Sequence, residues 1–326
     1  MQINQHARLS IAPMMDWTDR HCRVFHRQMT RDTLLYTEMV TSAALVRGGA
    51  RRLLAFCDTE HPVALQLGGS DPSELAEAAK MGADEGYDEI NLNVGCPSDR
   101  VQSGAFGAVL MRTPELVAKC VSAMMGAQPL PVTVKCRIGV DDQTVEDTLP
   151  RFIEMMSTVG VTRMTIHARK AWLKGLSPKE NREVPPLDYD LVARMKGAFP
   201  GMNLSLNGGI ATVDAALKHL NVFDGVMIGR AAYHTPWDIL GRADSQIFGA
   251  SDPVARPEDA VIAMEPYIED ELRQGTTLHA ITRHMLGVFT GRPGARHWRR
   301  VLSEGARAPD AGFALVRQAM QEVTER

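Results

Sequence analysis

The stretch Asn203-Leu204-Ser205-Leu206-Asn207-Gly208-Gly209, followed by Gly225-Val226-Met227-Ile228-Gly229-Arg230, decides the fold. Each half is a short apolar run ending in glycine, and the amphipathic segment Thr212–Asn221 lies between them. Strand, helix, strand is the repeating unit of a parallel sheet. Toward the N-terminus the alternation recurs, with strands expected at Leu9–Pro13, Leu34–Thr37, Val63–Leu67, Glu89–Asn93, Val132–Arg137 and Met164–His167. Helices are expected between them at Asp71–Glu85, Pro114–Met125 and Thr144–Thr158. Eight such units predict an α/β fold of the (β/α)8 TIM-barrel type. A doubly wound sheet is the competing architecture, but it typically binds phosphate at its first βα turn, and Pro13-Met14-Met15-Asp16 has no glycine there.

Beyond Gly241 the pattern becomes helical only. Pro257–Arg273, Thr276–Phe289, Gly294–Gly305 and Asp310–Glu325 carry apolar residues at helical spacing, separated by turns containing Gly or Pro. The expected division is a barrel over 1–241 and an all-helical C-terminal domain over 242–326.

The 326 residues, 44% of them hydrophobic, suffice for one large core and a small one. With 36 Lys+Arg against 39 Asp+Glu, the net charge of −3 excludes a polycation, so any nucleic-acid contact must come from a local patch. The five cysteines form no Cys-x-x-Cys pair, which argues against a disulfide framework or structural zinc, and no metal site is expected. No apolar run has the length of a signal peptide or membrane helix, so the expected setting is a reducing cytoplasm.

In a barrel the chemistry gathers at the C-terminal ends of the strands. Gln66 closes strand three, Asn91 and Asn93 strand four, Lys135 and Arg137 strand five, His167 strand six and Asn207 strand seven. One such residue would be an ordinary capped strand end; five consecutive strands ending this way point to a site. Gly208, Gly209 and Gly229 let backbone amides approach a phosphate closely, with Arg230 as a charge-assisted partner. Lys135 inside a strand needs an anion. Reduced flavin mononucleotide would supply one, with Gln66 and His167 as further hydrogen-bonding partners.

Cys96, in Asn93-Val94-Gly95-Cys96-Pro97, sits just past strand four before the stretch Ser98–Gly107. A lone cysteine is by default a small buried hydrophobe. Here the flanking Gly95 and Pro97 shape a loop, and a thiol of ordinary pKa can act as a general acid; a nucleophilic role would need His167 as base. In the helical region Arg283, Arg292, Arg296, Arg299, Arg300 and Arg307 face a single acid, Glu304. They form either a solvated cationic face or a phosphate-backbone footprint. Lys174, Lys179 and Arg182 in Ala171–Pro186 add a second basic stretch.

Several stretches together resemble the tRNA-dihydrouridine synthases: Ala12-Pro13-Met14-Met15-Asp16-Trp17-Thr18-Asp19, Leu65-Gln66-Leu67-Gly68-Gly69, Asn91–Pro97, Val134-Lys135-Cys136-Arg137, Ile166-His167-Ala168-Arg169, Asn207-Gly208-Gly209 and Val226–Arg230. They run through the whole barrel. Gly175–Arg182 and Gly294-Ala295-Arg296-His297-Trp298-Arg299-Arg300 point to the bacterial A-type subfamily. The resemblance implies an FMN barrel with a helical tRNA-binding domain that uses NADPH to reduce D-loop uridines, at positions 20 and 20a for the A-type. It implies further that Pro13, Met14, Met15, Gln66, Lys135, His167, Asn207, Gly208, Gly209, Gly229 and Arg230 hold FMN and that Cys96 donates the proton. Asn93, Lys179, Arg182, Arg296 and Arg299 match positions that touch tRNA. Two other readings compete: a flavin barrel acting on a free pyrimidine or other small enone, and a non-catalytic RNA-binding protein with a vestigial flavin site.

Overall fold

The structure is a computed structural model that describes residues 3–98 and 105–323. Eight parallel strands follow the expected order: β1 (Leu9–Ile11), β2 (Leu35–Thr41), β3 (Val63–Gly68), β4 (Glu89–Val94), β5 (Val132–Arg137), β6 (Arg163–His167), β7 (Asn203–Asn207) and β8 (Gly225–Ile228). From β2 to β8 each strand pairs with the next in sequence, and β1 pairs with β8. The seam between β1 and β2 closes through Leu34, whose amide donates to Leu9 O at 3.1 Å while Ile11 N donates to Leu34 O at 3.0 Å. The chain is therefore a (β/α)8 barrel.

Alternation along the strands sorts side chains into two environments. Leu65, Leu67, Ile90, Leu92, Val134 and Cys136 face the surrounding helices in one continuous apolar core, all fully buried. The alternate residues Gln66, Asn91, Asn93 and Thr133 hydrogen-bond to one another inside the barrel. Tyr36, Ala64 and Met227 belong to a separate small apolar cluster with Leu34 and Ala12.

The helix Pro72–Glu85 shows how local sequence fixes this arrangement. Asp71 accepts from Glu74 N at 2.9 Å, Pro72 occupies the first turn, and Gly86 ends the helix at φ +103. The helix buries Leu75, Ala78, Ala79 and Gly82. A Cβ at Gly82 would stand 2.5 Å from Leu65 Cδ2, so glycine allows the helix to lie close on β3.

After β8 no further strand occurs among the described residues. The expected helix Pro257–Arg273 is two, Pro257–Ile262 and Glu265–Arg273, with Pro266 opening the second. The expected Thr276–Phe289 is helical only over Leu278–Thr282 and continues as turns. Within those turns Gly287 packs so closely on the backbone of His234 that a Cβ would lie 2.2 Å from His234 O. The last two helices are Ala295–Gly305 and Phe313–Met320. Asp244, fully buried, ties the start of this region to the barrel by accepting from Thr30 Oγ1 at 2.5 Å and Arg31 N at 2.6 Å.

Candidate active site

A chain of buried amides runs from the barrel mouth downward. Asn93 Nδ2 donates to Gln66 Oε1 at 2.8 Å, Gln66 Nε2 donates to Asn91 Oδ1 at 2.8 Å, and Asn91 Nδ2 donates to Thr133 Oγ1 at 2.8 Å. Thr133 Oγ1 donates to Glu89, which also accepts from Tyr36 OH at 2.9 Å and pairs with Arg163. Every amide in the chain is thereby oriented by its neighbour, and its lower end terminates on a compensated ion pair.

Asn93 also faces upward. Its Oδ1 accepts from Gly95 N at 3.1 Å and Cys96 N at 3.0 Å, so one side chain sets both the Gln66 amide and the loop carrying Cys96. The thiol is partly exposed, with Sγ 3.4 Å from Ser98 Oγ. Residues 99–104 of the expected loop Ser98–Gly107 lie outside the described residues.

Strands β5 to β8 give the other side of the mouth a different character. Lys135 Nζ donates to Asn207 Oδ1 at 3.1 Å, and Asn207 Nδ2 donates to Met227 O at 2.8 Å. Among the described residues Lys135 pairs with no carboxylate, and burial, followed by the charge of Arg137, lowers its pKa to about 8. His167 is pushed well below the usual histidine value, first by burial and then by Arg137, Lys135, Arg169 and Arg182. The imidazole is therefore neutral. Arg137, lowered to about 10 by burial, donates to Gly95 O at 3.2 Å and to Asn181 O at 2.9 Å. Cations crowd here without an equal number of anions, so the mouth favours an anionic ligand.

Gly208 and Gly209 adopt φ +111 and +71, values that L side chains rarely take. A Cβ on Gly208 would lie 2.5 Å from His167 Cδ2, and one on Gly209 would lie 2.6 Å from Leu187 Cδ1. The backbone here is bare of side chains and packs directly against His167 and Leu187. Gly229 precedes the short helix Arg230–His234, and a Cβ there would meet only Ala12 and Met14 at ordinary contact distance. Arg230 Nη1 contacts Glu183 Oε1 at 2.5 Å with both side chains substantially exposed. Pro13 and Met14 are partly buried beside β1, while Met15 is 52% exposed, a large apolar side chain in water at the mouth.

The structure places these residues around one barrel mouth, together with Asn181, which the sequence pattern does not single out. It is fully buried, and its Nδ2 donates to Trp172 O at 2.9 Å and Leu176 O at 3.1 Å, which holds the loop after β6 in shape. Its only signal was its place inside the motif Gly175–Arg182. Lys179 and Arg182 are exposed on that loop. Two of the six C-terminal arginines are occupied elsewhere: Arg283 Nη2 donates to Asp19 Oδ2 at 2.6 Å, and Arg292 pairs with Glu258 at 2.7 Å. Arg296 and Arg299 pair with no carboxylate among the described residues and line a surface groove of about 350 Å³ with Arg292 and Gly294. Trp298 and Leu302 are buried on the opposite face of their helix, as the spacing predicts.

Asp19 joins the first βα loop to the helices. It starts the helix Arg20–Arg27 by accepting from Cys22 N at 3.0 Å, and it receives Arg283 and His284. Burial alone would raise its pKa, but His284, the Cys22 amide and Arg283 outweigh it and hold the carboxyl well below its usual range. Nearby, Trp17 stacks on Tyr233 at 4.5 Å, and His21 Nδ1 lies 2.7 Å from Tyr267 OH.

Fold and site together define a (β/α)8 enzyme whose strand ends present a cationic, glycine-cradled mouth. Residues 10–324 match the model of the dihydrouridine synthase family, and the chain belongs to that family. It is 55% identical over 317 residues to a tRNA-dihydrouridine(20/20a) synthase of Vibrio cholerae, covering 97% of this chain and 96% of that one. It is 57% identical over 320 residues to the protein of the same name from Escherichia coli K12, covering 98% and 92%. Among solved structures, the old yellow enzyme homologue of Zymomonas mobilis superposes with a TM-score of 0.54 at 13% identity, covering 78% of this chain and 92% of that one. A morphinone reductase in complex with tetrahydroNAD gives 0.51 at 14% identity, covering 78% and 90%. These two share the barrel.

Proposed function

We propose that the chain reduces the C5=C6 bond of uridines 20 and 20a in the tRNA D-loop to 5,6-dihydrouridine, with FMN bound at the mouth, NADPH as electron source and Cys96 as proton donor. The cationic mouth over β5–β8, set beside a cysteine loop oriented by Asn93, carries this reading. The names of the relatives support the substrate and the two positions.

The residues present fit FMN. Lys135 lacks a carboxylate among the described residues and would hold the anionic edge of the ring, with Gln66 and neutral His167 bonding beside it. Gly208 and Gly209, in a conformation that side chains rarely take, would offer bare backbone beside His167, and Asn207, Gly229 and Arg230 would complete the place for the phosphate tail. Pro13, Met14 and exposed Met15 would cover the ring. Bound there, the flavin would supply the hydride for C6 of uracil. Negative charge then grows toward C5 and O4, and Cys96 delivers a proton to C5. A uridine must leave its stack to enter, which costs a few kcal/mol and least in a loop. Asn93, Lys179, Arg182, Arg296 and Arg299 would hold the tRNA, with residues 1–241 as the catalytic domain and 242–326 as the tRNA-binding domain.

Comparing half-reactions tests the reading. Cys96→Ala should take up electrons from NADPH at the parent rate and pass them to tRNA about 10²–10⁴-fold more slowly in single turnover. Parental uridine turnover in Cys96→Ala would overturn the acid role. A parent protein that retains no FMN after reconstitution would overturn every flavin reading.

A further inference from the structure

The loops after β5 and β6 enclose a groove on the same face of the barrel that the chemistry above leaves unused. Its volume is about 440 Å³, and Thr144, Val145, Pro185, Pro186 and Trp172 line it. Trp172 is 42% exposed, a broad aromatic surface left in water, and Lys170 Nζ stands 5.7 Å from its ring centroid. The backbone that carries the ring is nonetheless fixed. Asn181 Oδ1 accepts from Trp172 N at 2.7 Å and Asn181 Nδ2 donates to Trp172 O at 2.9 Å. Arg137 then links Asn181 O to Gly95 O beside Cys96, which holds Trp172 at a set offset from the proposed proton donor.

Charge selects the occupant. Asp142, Glu146 and Asp188 outnumber the one cation of the lining, Lys170, which disfavours phosphate, so the groove suits a base rather than a backbone. Asp142 is engaged by Arg112 at 2.5 Å, whereas Glu146 is exposed and forms no ion pair among the described residues. A carboxylate accepts two parallel N–H bonds. Guanine presents N1–H and the N2 amine side by side; uracil flanks its single N–H with carbonyls, and adenine and cytosine set an acceptor beside their amine. We infer that the groove takes an unpaired guanine of the RNA, stacked on Trp172 and read by Glu146, close in sequence to the reacting uridine. The inference rests on the proposed tRNA substrate.

The test uses the full flavin-loaded chain, an unmodified tRNA transcript, and the same transcript with inosine replacing the D-loop guanosines, which removes the N2 amine. Trp172→Ala should weaken transcript binding about 5- to 150-fold, the range for loss of one base–aromatic stack, while Trp172→Phe keeps most of the affinity. Inosine should weaken binding to the parent and have no further effect on Glu146→Ala. Flavin reduction by NADPH should be unchanged in all three variants. Equal transcript affinity of Trp172→Ala and parent would overturn the inference, as would an equal inosine penalty in parent and Glu146→Ala. Self-association of the parent that Trp172→Ala abolishes, with RNA affinity unchanged, would make the groove a protein contact instead. If the parent binds the transcript tightly yet forms no dihydrouridine, the proposed function falls while the binding comparison still decides the groove.

Discussion

Two polar systems share one barrel interior and treat charge in opposite ways. Low in the barrel, Glu89 meets Arg163, Tyr36 and Thr133, so a buried carboxylate is matched on every side. At the mouth, burial first and the surrounding arginines second lower the proton affinity of Lys135, Arg137 and His167, with too few anions among the described residues to answer them. Burial is expensive in both places, yet only the first is balanced among the described residues. The difference separates polarity that holds a fold from polarity that awaits a ligand.

The largest expected effect breaks the balanced system. Glu89→Ala leaves Arg163 buried without its carboxylate and should lower folding stability by about 3–5 kcal/mol, read from denaturant unfolding of the flavin-free protein. A loss near zero would mean that the two systems do not differ.

The mouth should respond in the opposite sense. Lys135→Met should lower FMN affinity by about 10- to 150-fold, the value of a charge-assisted bond, while raising the stability of the flavin-free protein. The sign follows from proton linkage. Lys135 holds its proton only to about pH 8 in the fold but to about 10.5 in an unfolded chain. Its charge therefore opposes folding fully below pH 8, and the flavin-free parent should gain stability as pH rises from about 8 toward 10.5. Lys135→Met should lack that rise. FMN binding, which needs the cation, should weaken as pH climbs through the same window. A flat stability profile in the parent would show that the lysine is already compensated.

Arg230→Ala should have a smaller effect, roughly tenfold in FMN affinity and visible as lower flavin content on purification, because the guanidinium is largely solvated and already shared with Glu183. Full flavin occupancy at unchanged affinity would remove Arg230 from the phosphate site. The smallest effect belongs outside the mouth. Lys179→Ala and Arg299→Ala should each flatten the salt dependence of tRNA binding by about one unit of slope without slowing flavin reduction. Unaltered slopes in both would return these residues to a solvated surface.

The strands were legible because a barrel imposes one pattern eight times; β2, expected over the four residues Leu34–Thr37, runs over Leu35–Thr41. The strand-end residues were legible for the same reason: Gln66, Asn93, Lys135, His167 and Asn207 terminate apolar runs. What sequence periodicity could not reveal were contacts made across the chain. Gly287 lies against the backbone of His234, far away in sequence, and an apolar repeat carries no trace of that. Asn181 appears in sequence as one polar residue in a basic loop, and its work is with backbone carbonyls. Arg283 and Arg296 look alike in the arginine cluster, but among the described residues only the first finds a carboxylate, on the first βα loop.

That carboxylate, Asp19, has a consequence for substrate choice. It is bonded at once to the start of the helix Arg20–Arg27, a few residues past Met15 at the mouth, and to Arg283 and His284 among the C-terminal helices. A strut of this kind fixes the span between the place where an RNA is gripped and the place where a base is reduced. On the proposed function, the enzyme then works as a ruler: the nucleotide modified is the one lying that span from the grip, whatever its neighbours spell. Cutting the strut with Asp19→Ala would blur the graduation, spreading dihydrouridine to adjacent uridines.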